Sequence, residues 1–179
     1  MTHILALDIA QKIGVCDWKV GERPRFYTVP VGDPEDDQDP NGWTRKSSRA
    51  IRWISTRMKL RDVDEVVIEA PVQGKRDTNA AAAAVTIGLF FSISGVVGLH
   101  SVGRAYGRVS TVRSHFLGRG NGNLKSEIAK PRVRQTCEAI GWSVANYDES
   151  DAGALAHWRA HQLGLGHLIP DVSPFHLRS

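Results

Sequence analysis

The run Ile4-Leu5-Ala6-Leu7-Asp8 places an acidic residue at the end of an apolar stretch, and Val66-Val67-Ile68-Glu69 does the same later in the chain. Short apolar runs of this kind are typical of strands that are covered on both faces of a sheet. A third motif, Asp148-Glu149-Ser150-Asp151, opens a helical pattern, and its two aspartates project from one face because they are three residues apart. The three segments supply four candidate site residues: Asp8, Glu69, Asp148 and Asp151.

Four carboxylates from separate elements point to a metal site. Such groups repel one another unless cations hold them, and a ligand set made only of oxygen suits Mg²⁺ or Mn²⁺. Taken singly, Asp8 has an ordinary explanation as a turn residue, and Asp148 or Asp151 as a helix N-cap. Their joint occurrence favours metal ligands. We therefore predict a phosphoryl-transfer centre with two divalent ions about 3.5–4 Å apart, in which Asp8 is the bridging ligand and the other three flank it.

The composition predicts one soluble domain. A chain of 179 residues, 41% hydrophobic and 23% charged, can bury one substantial core but is short for two, so we expect a single domain over 1–179 with a loosely held tail from about 169. Residues 80–99 are apolar but include Thr, Ser and three Gly, which favours a packed interior helix over a membrane span. The two cysteines fit a reducing compartment, and no charged leader is apparent, so we expect a cytoplasmic location.

Positive charge is concentrated in one part of the chain. Between residues 104 and 134 the only acid is Glu127, although the formal net charge of the whole chain is just +4. A basic block beside a carboxylate cluster suits a polyanionic substrate, since the block can hold backbone phosphates while the acids, through metal, address the scissile one. The basic residues of this block are Arg104, Arg108, Arg113, Arg119, Lys125, Lys130, Arg132 and Arg134.

Turn signals and periodicity predict an α/β order of elements. Three strands first, then strands alternating with helices, indicate a mixed sheet with helices on both faces. Asp8 and Glu69 can meet only if the first and fourth strands are neighbours and the last helix packs across their edge. We expect strands at 3–15 (continuing as a hairpin to 18), 25–31, 63–70, 108–115 and 142–147, and helices at 43–60, from 78, at 125–140 and at 148–164.

These residues resemble the RuvC-type Holliday junction resolvases of the RNase H-like superfamily. Those proteins place an Asp on the first strand, a Glu at the end of the fourth and an Asp-x-x-Asp-Ala at the start of the last helix. Here the matching positions are Asp8, Glu69 and Asp148 to Ala152. The order and spacing match over nearly the whole chain. The resemblance implies an RNase H-like fold, a mixed five-stranded sheet flanked by helices on both faces.

The resemblance also implies an activity. It implies a Mg²⁺-dependent homodimeric endonuclease, with Mn²⁺ as a possible replacement and two ions per site, that nicks four-way or other branched DNA symmetrically in a bacterial or phage-infected cell. Arg113 and Lys125 match positions where the family carries basic residues near the scissile phosphate, and Lys125 is counted with the catalytic residues. Residues 80–99 and the helix from Trp43 are candidate dimer surfaces. The candidate DNA contacts are Lys75, Arg76, Arg113, Arg119 and Lys125.

The chain departs from the family in three places, one of which is an acidic insert at residues 33–39, and three alternatives stay open. Asp8-Ile9-Ala10 replaces the usual Asp-Pro-Gly, and the loop after Glu69 has no aromatic residue where the family often inserts one at the junction centre. The alternatives are a nuclease for RNA–DNA hybrids or flaps, an actin-like kinase or ATPase, for which the chain is short, and a non-catalytic junction-binding protein. Glu149 is expected to be solvated, and His157 and His161 to be surface histidines.

Overall fold

The computed structural model describes residues 1–10, 12–33, 35–36, 39–60, 62–71 and 80–173. Lys75 and Arg76, two of the predicted DNA contacts, lie outside these residues. The elements are β1 (His3–Ile9), β2 (Lys12–Lys19), β3 (Arg25–Pro30), α1 (Pro40–Lys59), β4 (Glu65–Glu69), α2 (Ala80–Gly98), β5 (Gly103–Gly107), α3 (Val109–Phe116), α4 (Ser126–Ala139) and α5 (Tyr147–Gln162), followed by a short 3₁₀ turn, Gly166–Leu168.

The five strands form one mixed sheet in the order β3-β2-β1-β4-β5. Strands β1, β2 and β3 pair antiparallel, whereas β4 is parallel to both β1 and β5. The last register pair of β1 and β4 is Leu7 with Ile68, so the next residues, Asp8 and Glu69, emerge side by side. The predicted neighbourhood of the first and fourth strands is confirmed.

Side-chain alternation along β1 supplies both hydrophobic cores. Ile4 and Ala6 face one layer, which contains α3, α4 and α5, while Leu5 and Leu7 face the other, which contains α1 and α2. All seven residues of β1 are buried, as expected for a central strand covered on both sides. Because the period of a strand is two, Asp8 falls on the α5 side of the sheet. The predicted sheet with helices on both faces is confirmed.

Helix α2 is not the interior helix predicted for residues 80–99. It buries one stripe, Val85, Leu89, Ile93 and Val97, against α1 and the sheet. The opposite side is apolar too, and Phe91 on it is 66% exposed. The helix is long and apolar enough to cross a bilayer by length and composition, but its buried stripe belongs to the α1–α2 core of the domain.

Two predicted strands are wrong. Residues 108–115 form helix α3, since Val112 and Phe116, one turn apart, both pack into the core beneath α5. Tertiary packing there overrides the strand propensity of a Val- and Thr-containing segment. The fifth strand is instead β5, which pairs with β4. Residues 142–146, all of them described, form no strand: 142–144 have no regular secondary structure and 145–146 form a bend.

The start of the predicted loose tail is packed on the domain. Val172 is buried, and Ile169 packs against the core on the α5 side. The backbone carbonyl of Pro170 accepts a hydrogen bond from His157 Nε2 (2.8 Å). Residues 174–179 lie outside the described part of the chain.

A charged network around the buried side chains of His3 and Arg57 lies at the end of the sheet opposite to Asp8. Arg57 of α1 donates to Asp17 (3.1 Å) and to Asp62 (2.5 Å), and His3 Nε2 lies 2.5 Å from Asp17 Oδ1. The hydrogen bond from Arg57 holds the pKa of Asp62 below its ordinary value. Arg57 is therefore a structural residue that ties α1 to the sheet.

Candidate active site

Strand geometry alone places Asp8 and Glu69 at one edge of the sheet. Asp8 is the sixth residue of β1 and only 6% exposed, and Glu69 is the last residue of β4 and half-buried. Both fall on the α5 side of the sheet, because Val67 faces that layer and Glu69 is two residues further on. Two carboxylates from different strands thus face the same helix.

The start of α5 brings the two aspartates across that edge. Asn146 caps the helix, its side-chain oxygen accepting from the Glu149 N–H (3.0 Å). Asp148 and Asp151 lie in the first turns, where the helix dipole favours negative charge. Gly14 of β2, the register partner of Asp8, makes this approach possible, since a Cβ there would come within 2.1 Å of the Asp148 carbonyl oxygen.

The electrostatics of the cluster show that it is short of positive charge. Burial raises the pKa of Asp8 well above its ordinary value, and the carboxylates of Glu69 and Asp151 raise it further. Burial raises the pKa of Glu69 to about 7, with a contribution from Asp151. It raises that of Asp151 to about 6, although Lys130 and Arg113 oppose the rise. Burial is the largest cause of each raised pKa and neighbouring carboxylates add to it, so a bound cation would favour the ionised forms.

Among the described residues, two cations face the cluster, and only one of them was predicted as a site residue. Arg113 lies on α3 rather than on the expected strand, and it donates to the carbonyl of Leu124 (3.2 Å). Lys130 of α4 was only one member of the basic block, yet its Nζ lies 3.8 Å from Asp151 Oδ2 and 4.0 Å from Asp148 Oδ1. No sequence signal separates Lys130 from its basic neighbours, because its role follows from how α4 packs on α5.

The carboxylate site is a cavity that continues into a basic groove. The cavity holds about 390 Å³ and is lined by Asp8, Glu69 and Asp151 together with Arg113 and Lys130. An adjoining groove of about 810 Å³ shares the Arg113 wall. The groove adds Arg108, Lys125 and Phe91 to the lining, and it shares Phe90 with the cavity.

Of the other predicted DNA contacts, Lys125 and Arg119 belong to the part of the chain that the structure describes. Lys125 is exposed at the N-cap of α4 and lines the groove, not the carboxylate cavity. Arg119 is exposed between Gly118 and Gly120, both of which have positive φ. A role for Lys125 in catalysis and for Arg119 in DNA binding stays a prediction.

Glu149 is buried, contrary to the expectation that it is solvated. It accepts from the Ala145 N–H (2.7 Å) and from the Thr28 hydroxyl (3.1 Å), and it closes the Asn146 cap. It therefore fastens the start of α5 to β3. Glu149 thus anchors the helix whose Asp151 lines the cavity.

His157 is also buried, contrary to its prediction as a surface residue. It is 2% exposed, and its Nδ1 lies 3.0 Å from His115 Nε2 on α3. His161, one turn later, is exposed as predicted, with its ring centroid 4.9 Å from that of His115. The histidines join α3, α5 and the chain near Pro170.

The donor set of the cavity fits a hard divalent cation by its chemistry, because the four candidate ligands are all carboxylates. Within the described residues, no group of three or more His, Cys, Asp or Glu side chains is already arranged to hold a metal ion. The same cluster contacts an ammonium group, that of Lys130. The assignment of Asp8, Glu69, Asp148 and Asp151 as metal ligands therefore stays a prediction.

No model of a protein family matches the sequence, and no curated protein matches it. Several solved structures match the fold of the chain. RuvC of Thermus thermophilus superposes with a TM-score of 0.65 at 14% identity, over 92% of this chain and 98% of that one. The chain has the RuvC-type resolvase fold. The same RuvC in complex with a Holliday junction substrate gives 0.67 at 15% identity with the same coverage. The yeast mitochondrial Holliday junction resolvase Ydc2 gives 0.62 at 14% identity, over 93% of this chain and 81% of that one.

Proposed function

We propose that this protein is a divalent-metal-dependent endonuclease that cleaves four-way or other branched DNA. One observation carries the proposal: Asp8, Glu69 and Asp151, which are far apart in the sequence, line one cavity that opens into a basic groove. The RuvC-type fold supports it, since one matching RuvC is bound to a Holliday junction.

The cavity suits the hydrolysis of a phosphodiester. Asp8, Glu69, Asp148 and Asp151 would hold two Mg²⁺ ions, or Mn²⁺ in their place. When bound, such ions activate an attacking water and neutralise charge on the scissile phosphate. Arg113 forms a wall of both the cavity and the groove, so its guanidinium would position that phosphate through charge-assisted hydrogen bonds.

The groove suits the strand that flanks the scissile phosphate. Arg108 and Lys125 line it and would neutralise backbone phosphates. Phe90 and Phe91 on the same groove offer aromatic surface on which unpaired bases can stack. Aromatic surface and positive charge together favour a DNA with unpaired or distorted bases over a regular duplex.

A second copy of this chain is the expected occupant of the exposed face of α2. Residues Ala84, Ile87, Phe91 and Gly95 follow one another at helical spacing on this face and are all exposed. A contiguous apolar stripe of this kind is typical of a surface that another protein covers. A two-fold dimer through α2 would present two cavities to a four-way junction, as symmetric nicking requires.

The test is cleavage of a labelled mobile four-way junction in Mg²⁺ or in EDTA. We expect paired nicks in Mg²⁺ that are lost in EDTA and in Asp151→Asn, with junction binding retained. Glu22→Gln is the matched control, because Glu22 is exposed at the opposite end of the sheet. Metal-dependent cutting of flaps or RNA–DNA hybrids but not of junctions would contradict the proposed substrate and keep the proposed nuclease activity. Tight binding without cutting of any substrate would favour a junction-binding protein.

A further inference from the structure

Lys130 occupies the position from which a cation can act on the acidic cluster. It lies on α4, one turn before Arg134, which pairs with Glu138 on its own helix at 2.9 Å. Lys130 instead reaches across to α5, where its Nζ is 3.8 Å from Asp151 and 4.0 Å from Asp148. Its side chain is 35% exposed, so the ammonium group is open to the cavity and to solvent.

The packing of α4 directs Lys130 to this place. Ala129 and Val133 are both fully buried in the core on the α5 side, which sets the rotation of the helix. Lys130 follows Ala129 directly and therefore emerges beside the interface between α4 and α5. The ammonium is the one charge of α4 that lines the carboxylate cavity among the residues described.

One ammonium group cannot neutralise four carboxylates. It also makes long contacts, because 3.8–4.0 Å exceeds the distance of a charge-assisted hydrogen bond. An ammonium held in this way is exchangeable: a divalent ion brings twice its charge to the same oxygens, and a phosphate offers the ammonium a different partner.

We propose that Lys130 is a resident counter-ion that competes with divalent cations for Asp148 and Asp151 and moves to a DNA phosphate when the substrate enters. This inference rests on the proposed function. It has two consequences: Lys130 weakens metal binding in the free protein, and DNA strengthens metal binding by drawing the ammonium away. Metal and DNA are then positively coupled, and each raises the affinity of the protein for the other by the same factor.

The first experiment measures Mn²⁺ affinity without DNA, from the electron paramagnetic resonance signal of free Mn²⁺. We expect Lys130→Met to bind Mn²⁺ about 5- to 50-fold more tightly than the wild type, a range typical of coupling between sites. Lys130→Arg keeps the charge and should stay near the wild type. Arg134→Met removes a charge one turn away on the same helix, outside the cavity, and should leave the affinity unchanged.

The second experiment repeats the titration with a four-way junction that has phosphorothioate linkages at the crossover. The wild type should gain Mn²⁺ affinity on adding this DNA, and Lys130→Met should gain little. Thermal unfolding in EDTA adds a separate readout: Lys130→Met should lower Tm without metal and recover it with Mn²⁺, whereas a purely structural lysine would lower Tm in both conditions.

Unchanged or weaker Mn²⁺ binding by Lys130→Met in the absence of DNA would overturn the proposal, as would the failure of both proteins to bind Mn²⁺. Binding of Mn²⁺ by Lys130→Met but not by the wild type would give the proposal its strongest support. None of these readings depends on cleavage. Expected Mn²⁺ affinities from a protein that cuts no branched DNA would therefore contradict the proposed nuclease while leaving the competition between Lys130 and metal in place.

Discussion

Gly14 of β2 lies so close to the Asp148 carbonyl oxygen that a Cβ at position 14 would come within 2.1 Å of it. The contact involves backbone, so no side chain can rotate away. It joins the strand beside Asp8 to the helix that carries Asp148 and Asp151. The spacing of the cluster therefore depends on the absence of a side chain at one position.

Replacing that glycine should separate the two halves of the site. Gly14→Ala must push the start of α5 away from β2, and we expect a loss of stability of about 1–3 kcal/mol. Cleavage should fall on the order of 10²-fold, because a displacement of about 1 Å is enough to misplace reacting groups. Gly166→Ala is the control, since its Cβ would sit at an ordinary 3.6 Å from His161. Equal activity of the two variants would contradict this account.

Removing one buried carboxylate should stabilise the metal-free protein while abolishing cleavage. Asp8 is buried beside Glu69 and Asp151, which makes its charge unfavourable. We expect Asp8→Asn to raise Tm in EDTA and to show no metal-dependent cleavage, a trade of stability against function. Differential scanning calorimetry with and without Mg²⁺ measures this. A lower Tm for Asp8→Asn in EDTA would show that the carboxylates do not repel one another.

The burial of these carboxylates, together with their mutual repulsion, predicts a pH dependence of the stability. The pKa of Glu69 is raised to about 7 and that of Asp151 to about 6. A raised pKa means that the folded state holds its proton longer, so folding loses stability as pH rises from the ordinary range near 4 through these values. In EDTA, the wild type should lose on the order of 1 kcal/mol more than Glu69→Gln between pH 5 and 8. Denaturant unfolding across that range tests it, and parallel curves for the two proteins would refute it.

The buried charges at the other end of the sheet should carry much of the stability there. Arg57→Met leaves the mostly buried Asp17 and the 43% exposed Asp62 without their guanidinium partner. Breaking a fully buried pair costs about 3–5 kcal/mol, and we expect about 1–3 kcal/mol here because water can solvate Asp62. Arg52→Met, an exposed change on the same helix, should have an effect within about 0.5 kcal/mol. Urea unfolding compares the two variants, and a loss below 1 kcal/mol for Arg57→Met would argue against the network.

The α2 face can be tested without disturbing the monomer. A Cβ at Gly95 would meet nothing within 4 Å, so a larger side chain there has room. We expect Gly95→Glu to be monomeric by light scattering where the wild type is dimeric, and to nick single strands without pairing the cuts. Gln135→Glu, exposed on α4, is the control of equal added charge. A wild-type protein that is monomeric would contradict the proposed dimer through α2 and the symmetric cutting that depends on it.

The amino-acid sequence determined the elements that carry the acids. An apolar run ending in Asp8, another ending in Glu69 and a helical pattern opening at Asp148 are local signals, because side-chain periodicity and capping depend on neighbouring residues. These signals, with the order of strands and helices, were enough to predict the mixed sheet. The pairing of β1 with β4 and the packing of α5 across their edge followed as conditions for the four acids to meet.

Only the tertiary structure decided which elements that are distant in the chain contact one another. The segment 108–115 reads locally as a strand but is helix α3, because packing under α5 outweighs its β-propensity. Glu149 and His157 look solvent-facing along their own helix, yet β3 and α3 cover them. Lys130 is one of several basic residues in the sequence and becomes a partner of Asp151 only when α4 docks on α5. The burial of these side chains and their charged partners depend on which surfaces pack together, and a local sequence pattern does not predict that packing.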